Sequence, residues 1–361
     1  MGFFQFLENV ITHIRGVQEK QERIGNTIRK QAKGEIPHNG NEPLFIENTL
    51  THSIQKKMND GKIAGVDSGF AGQSFYTMDI MMLRAAGACF TYENGVMTKA
   101  EYEPESFSLP QPIVNGQGLE REDFHKFVSL TRLQAETENA IQVIQKMKPD
   151  VCFMDGSLIL HPADKPGSDS PLKKEYEKTI SGFVELYKTA LQKKCMLIGA
   201  IEDSRSTRLS EWIQKNMTLP QELQNEKMHD IPLLDKVLQP GERSMIFPIA
   251  EKNEKHPILS DFPTEWREKL FACYVKPSQW DYPLRIEFLS NGNTIEDGQR
   301  AAEIAHAQSN LHKDYAYPSI LIEADMRAGL KPQEIELVSD KILSKIGRNT
   351  LRLKRRDRRP F

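Results

Sequence analysis

Two short apolar runs, KIAGV at 62–66 and VCFM at 151–154, lead straight into aspartates, Asp67 and Asp155, each with glycine close behind. Apolar runs of this length bounded by glycine fit buried strands. An acid at the carboxyl end of such a strand lies where open α/β sheets place their sites. Between the two runs come IMMLRAAGACFTYENG and VMTKAEYE, with Asn94-Gly95 marking a hairpin turn, and then a helical pattern from Leu119 to Met147. After Asp155, a polar loop leads to a helix near Leu172–Lys193 and a strand, CMLIGAIED. The order strand, hairpin, helix, strand, helix, strand predicts an α/β fold with a mixed sheet flanked by helices.

The remainder is less regular. Residues 1–58 read as an amphipathic helix and linker, with Phe4, Leu7, Val10, Ile11 and Ile14 on one face. Acids and bases interrupt that patch and no small-residue cleavage site follows, so it does not read as a leader. The expected catalytic domain spans 59–345, with an insertion at about 208–283 carrying SMIFPIA and KLFACYV as strand candidates. Helices at Thr294–Gln308, Pro318–Ala328 and Pro332–Lys345 make the C-terminal part helical. A basic tail, 346–361, sets seven cations between Arg348 and Arg359 against Asp357 alone. It reads equally as a phosphate or partner grip and as a solvated end.

At 361 residues the chain is long for one compact domain. With 39% hydrophobic and 27% charged residues and no unbroken apolar span, it is expected to be globular and not to enter a membrane. Cys89, Cys152, Cys195 and Cys273 show no paired spacing, which predicts free buried thiols in a reducing cytoplasm. A net charge of −2 leaves the partner class open.

Helical phase extends the acid pattern. Glu136 shares a stripe with Leu133, Ala140, Val143, Ile144 and Met147, whereas Glu138 falls on the solvent side. A glutamate on a buried face needs a partner. Near the C-terminus, Asp325 is expected to point inward with Leu321, Ile322 and Ala328; a buried salt bridge is its other explanation. Tyr317 precedes that helix and can present a hydroxyl there or simply pack. Turn capping by Asp-Gly remains an alternative for either aspartate alone. Four inward carboxylates suit two divalent ions about 4 Å apart, and hard oxygen donors favour Mg²⁺ or Mn²⁺ over zinc. His125, His161 and His306 show no zinc-type clustering.

At GVDSGFAG, Glu136, DVCFMDGSL and the Tyr-Pro pair followed by Asp325, the sequence resembles the NurA family of nucleases, over about residues 60–330. Each motif is short; their order and spacing carry the likeness. The resemblance implies a PIWI- or RNase H-like core, a homodimer, Mn²⁺-dependent DNA cleavage and partnership with a HerA-type hexameric translocase. It also implies DNA-end trimming in repair or phage defence. By carry-over, Asp67, Glu136 and Asp155 become metal ligands, with Tyr317 and Asp325 completing the site. Relatives usually carry histidine where this chain has Asp325. Two rival classes stand beside this: an actin- or sugar-kinase-like ATPase, and a catalytically silent scaffold that binds DNA or a motor. The first needs a second glycine-rich phosphate loop, which is not evident, and no GxxxxGK[ST] motif occurs.

Overall fold

The computed structural model describes residues 2–32, 34, 47–55, 60–75, 78–107, 109–116, 118–219, 228–250 and 256–346. The basic tail therefore lies outside the described residues. In chain order the first elements are α1 (Phe3–Gln31), β1 (Thr51–Ser53), β2 (Gly61–Ser74), β3 (Asp79–Glu93), β4 (Val96–Glu103) and β5 (Gln111–Asn115). Next come α2 (Arg121–Met147), β6 (Val151–Asp155), α3 (Lys173–Gln192), β7 (Met196–Ile201), α4 (Arg208–Asn216) and α5 (Asp230–Val237). The chain continues through β8 (Glu242–Ser244), β9 (Phe247–Pro248), α6 (Thr264–Arg267), β10 (Leu270–Lys276) and β11 (Leu284–Leu289). It ends with α7 (Thr294–Ser309), α8 (Ser319–Ala328) and α9 (Pro332–Ile346).

Two compact units result. One gathers Met1–Met58, Ala200–Glu251 and Leu270–Pro318; the other gathers Asn59–Gly199, Lys252–Lys269 and Ser319–Phe361. In the first, the strands run β1-β8-β10-β11, antiparallel throughout, with β9 beside β10. The expected run SMIFPIA is strand only at Ser244, where β8 ends, and at Phe247–Pro248, where the proline has no N–H to extend the ladder. The sequence LRIEFL, which forms β11, escaped the apolar-run criterion because Arg285 and Glu287 interrupt it. Both are buried, and they satisfy each other at 2.8 Å. On α1, Ile24 and Ile28 are buried, while Phe4, Leu7, Val10 and Ile14 are exposed.

The second unit holds a mixed sheet in the order β7-β6-β2-β3-β4, with β5 on β3. The β3–β4 turn is made by Asn94 and Gly95 at φ 54° and 74°, the doubly left-handed pair that Asn-Gly favours. The long helix α2 stops at Lys148, which is left-handed at φ 51° and is followed by Pro149. All four cysteines are buried thiols, none in a disulfide.

β2 runs through its acid instead of ending there. It pairs residue for residue with β3 from Gly61↔Tyr92 to Ser74↔Asp79, and Asp67 sits mid-ladder opposite Ala86. The glycines on either side of Asp67, Gly65 and Gly69, serve close packing, not a turn. A Cβ on Gly65 would lie 3.0 Å from the Ile320 carbonyl oxygen, and one on Gly69 would run into the Ala328 carbonyl. The backbone of α8 thus rests directly on β2. We expect Gly69→Ala to destabilise the fold by about 2 kcal/mol through overpacking, read as a lower urea midpoint at unchanged slope.

Candidate metal centre

Strand register sets the centre. β2 and β6 pair in parallel from Ile63↔Val151 to Val66↔Met154, and the next residue on each strand is an aspartate. Asp67 and Asp155 therefore stand side by side at the end of the ladder, on strands roughly 5 Å apart. Alternation along β2 puts Asp67, with Gly65 and Gly69, on the face that α8 covers. Ser68 and Val66 take the opposite face, where Val66 and Gly87 meet Val143 of α2.

From that opposite face comes Glu136, 2% exposed at the middle of α2. The Ser68 hydroxyl donates to its Oε1 at 2.6 Å, and Arg132, one turn earlier, lies 3.5 Å from the same oxygen. Asp67 is 4% exposed, and its Oδ1 accepts the Ser68 backbone N–H at 2.6 Å. Asp155 is half-buried. Glu138, by contrast, is exposed and pairs loosely with Lys178 at 3.7 Å.

Burial drives the Asp67 carboxyl up to about 8. The negative charges of Asp155 and Glu136 add to that, the Ser68 N–H opposes it, and Asp325 contributes a smaller push upward. Burial likewise lifts Glu136 to about 7, against the pull of Arg132 and the Ser68 hydroxyl, with Asp155 again raising it. The acids predicted from separate motifs thus share one electrostatic neighbourhood.

Asp325 departs from expectation. It is exposed, and the buried face of α8 is Ile320, Leu321, Ala324 and Ala328. Ala324, fully buried, takes the centre of that face. Asp325 is one step, or about 100°, round the helix. A buried salt bridge is thereby excluded as its role. Arg327 lies over the Tyr102 ring at 3.2 Å and pairs with Glu323 at 3.0 Å.

Tyr317 belongs to the other unit, where its buried hydroxyl donates to the Ala200 carbonyl at 3.1 Å. Sequence patterns did not single out Ser68 or Arg132, although Ser68 lies within GVDSGFAG and Arg132 stands one helical turn before Glu136. A polar residue one step from a buried acid, and a cation one helical turn before another, were the available signals.

Among the described residues, no three His, Cys, Asp or Glu side chains converge on one point. Acids that repel one another do not close up unaided. The group nevertheless fits a hard divalent ion: its donors are all carboxylate oxygens, and Asp67 is held largely neutral by burial and like charge, a cost that a cation removes.

Comparison with known proteins bears on the same residues. The NurA domain family matches residues 61–330. The chain belongs to the NurA family. The NurA nuclease of Sulfolobus solfataricus is similar to it over 97% of this chain and 98% of that one, at 13% identity and a TM-score of 0.54. A crystal structure of NurA with manganese aligns at 10% identity and TM-score 0.54, covering 94% of this chain and 98% of that one. One of NurA bound to dAMP and manganese covers 98% of each chain at 10% identity and TM-score 0.51. At such identities the likeness to this NurA chain is one of fold. No curated protein matches the sequence.

Proposed function

We propose that this NurA-family chain is a metal-dependent DNA nuclease that hydrolyses phosphodiester bonds at DNA ends. The observation that carries this is the pairing of Asp67 and Asp155 at the end of the β2–β6 ladder, with Glu136 close enough to raise the Asp67 carboxyl. The manganese and dAMP held by similar structures support a divalent ion and a nucleotide-bearing substrate. Asp67, Glu136 and Asp155 would hold the ion, with Asp325 at the rim able to supply a further oxygen. Two ions, Mn²⁺ or Mg²⁺, suit four carboxylates. Tyr317 is assigned through the resemblance alone.

A bound divalent ion supplies an acidified water and offsets charge on the phosphate. The chain's own groups prepare for that. Ser68 holds one oxygen of Asp67 and one of Glu136, and Arg132 favours the ionised form of Glu136. Both acids must release their protons before they can coordinate, so activity should rise with pH up to about 8.

The resemblance supports the finer features of this proposal: an RNase H-like core, exonuclease activity with single-strand endonuclease cuts, homodimerisation, a HerA-type hexameric translocase as partner, and a cytoplasmic role in repair or phage defence. No helix among the described residues is long and apolar enough to cross a membrane. An actin-like ATPase is the rival, and one experiment separates them: end-labelled DNA with and without Mn²⁺, alongside ATP turnover. Mn²⁺-dependent shortening of the DNA supports the nuclease. ATP hydrolysis by the purified chain without DNA cleavage refutes it.

The register of α2 makes a sharper case. Glu136→Gln should slow cleavage by roughly 10²-fold or more, while Glu138→Gln leaves it unchanged, as measured on the same labelled DNA. Equal losses in the two variants would remove Glu136 from the centre.

A further inference from the structure

Ser68 sits between two acids that approach from opposite faces of β2. Its backbone N–H donates to Asp67 Oδ1 and its hydroxyl to Glu136 Oε1, each at 2.6 Å. Ser68 is itself buried, 6% exposed, so neither hydrogen bond competes freely with solvent. Arg132 approaches the same Oε1 atom. Among the described residues, Asp67 Oδ2 and Glu136 Oε2 take no hydrogen bond.

We infer that Ser68 is a positioning residue that occupies one oxygen of each carboxylate and leaves Oδ2 of Asp67 and Oε2 of Glu136 as the oxygens these two acids offer the metal. This rests on the metal-dependent reading above. The backbone half of the device survives any substitution at 68 except proline. The hydroxyl half does not, so the side chain alone tests it. Groups that orient metal ligands in this way typically account for 10–100-fold in affinity or rate.

The test is a calorimetric titration of the full-length protein with MnCl₂, applied to the wild type, Ser68→Ala, Ser68→Thr and Asp67→Asn, with steady-state cleavage in parallel. Ser68→Ala should bind Mn²⁺ ~10-fold or more weaker and lose a similar factor in kcat, with KM for DNA unchanged. Ser68→Thr, which keeps a hydroxyl, should recover most of both, and melting curves confirm that each variant is folded. Wild-type Mn²⁺ affinity in Ser68→Ala, with binding lost in Asp67→Asn, overturns the role of Ser68 and leaves the centre standing. A threonine variant that is folded but as weak as alanine also overturns it. Unchanged affinity in Asp67→Asn removes the centre itself.

Discussion

Asp67→Asn should lose cleavage by on the order of 10³-fold and yet melt higher than the wild type in the absence of metal. The two effects share one cause. Asp67 is buried beside Asp155 and Glu136, so as a carboxylate it is costly to the fold unless a cation offsets it. Asparagine keeps an oxygen for the Ser68 N–H and removes the charge. A gain of ~2 °C or more in metal-free buffer near pH 8 is expected, since 1 kcal/mol is worth roughly that in a protein of this size. Asp155→Asn should match the loss of activity with a smaller gain in melting temperature, because Asp155 is only half-buried. Cleavage rates and melting curves on the same preparations check both. An Asp67→Asn protein that cleaves at the wild-type rate with Mn²⁺ ends the assignment.

Metal-free stability should fall as pH rises from about 5 to about 8.5, and saturating Mn²⁺ should reverse most of that fall. The sign follows from the direction of the shifts. Asp67 moves from 3.8 up to about 8 and Glu136 from 4.5 up to about 7. Between the unfolded and folded values, the unfolded chain has released protons that the folded chain still holds. The stabilising contribution is therefore complete below about pH 4 and is lost as pH climbs through 7 and 8. Mn²⁺ competes with those same protons, so its stabilisation grows with pH. Asp67→Asn should flatten the metal-free pH profile, and the difference between the two curves isolates this residue from all other titrating groups. Parallel wild-type and Asp67→Asn curves would show that Asp67 titrates normally.

Much of the sheet was legible because its signals are local. VMTKAEYE became β4 residue for residue, and the Asn94-Gly95 turn fell where Asn-Gly chemistry puts it. The phase of α2 sorted Glu136 from Glu138 because a helix of this length averages out local noise. Failures came where a residue's purpose lay in another element. Gly69 reads as a turn former, yet it is there because α8 sits on it. Arg285 and Glu287 break the apolar run, yet they neutralise each other in a buried strand. Asp325 was misjudged because Leu321 and Ile322 were taken as the centre of the helix face, when the buried centre is Ala324. At the site, the acids were visible as types, but the role of Ser68 needed the register of β2 against α2.

The contact of α8 with Gly65 and Gly69 bears on how such a site can vary among relatives. Main chain lies on main chain, so the height and tilt of the helix are set before any side chain at 325 is chosen. Arg84 strengthens that setting: it is buried, it donates to the Ala328 and Gly329 carbonyls at the end of the helix, and it pairs with Glu334 of α9 at 2.7 Å. The Asp325 side chain takes no part in that seat, since it is exposed. A mount of this kind separates the support of a site from its chemistry. The rim position is free to exchange carboxylate for imidazole as sequences diverge, with no repacking beneath it, while the two glycines are not free to change.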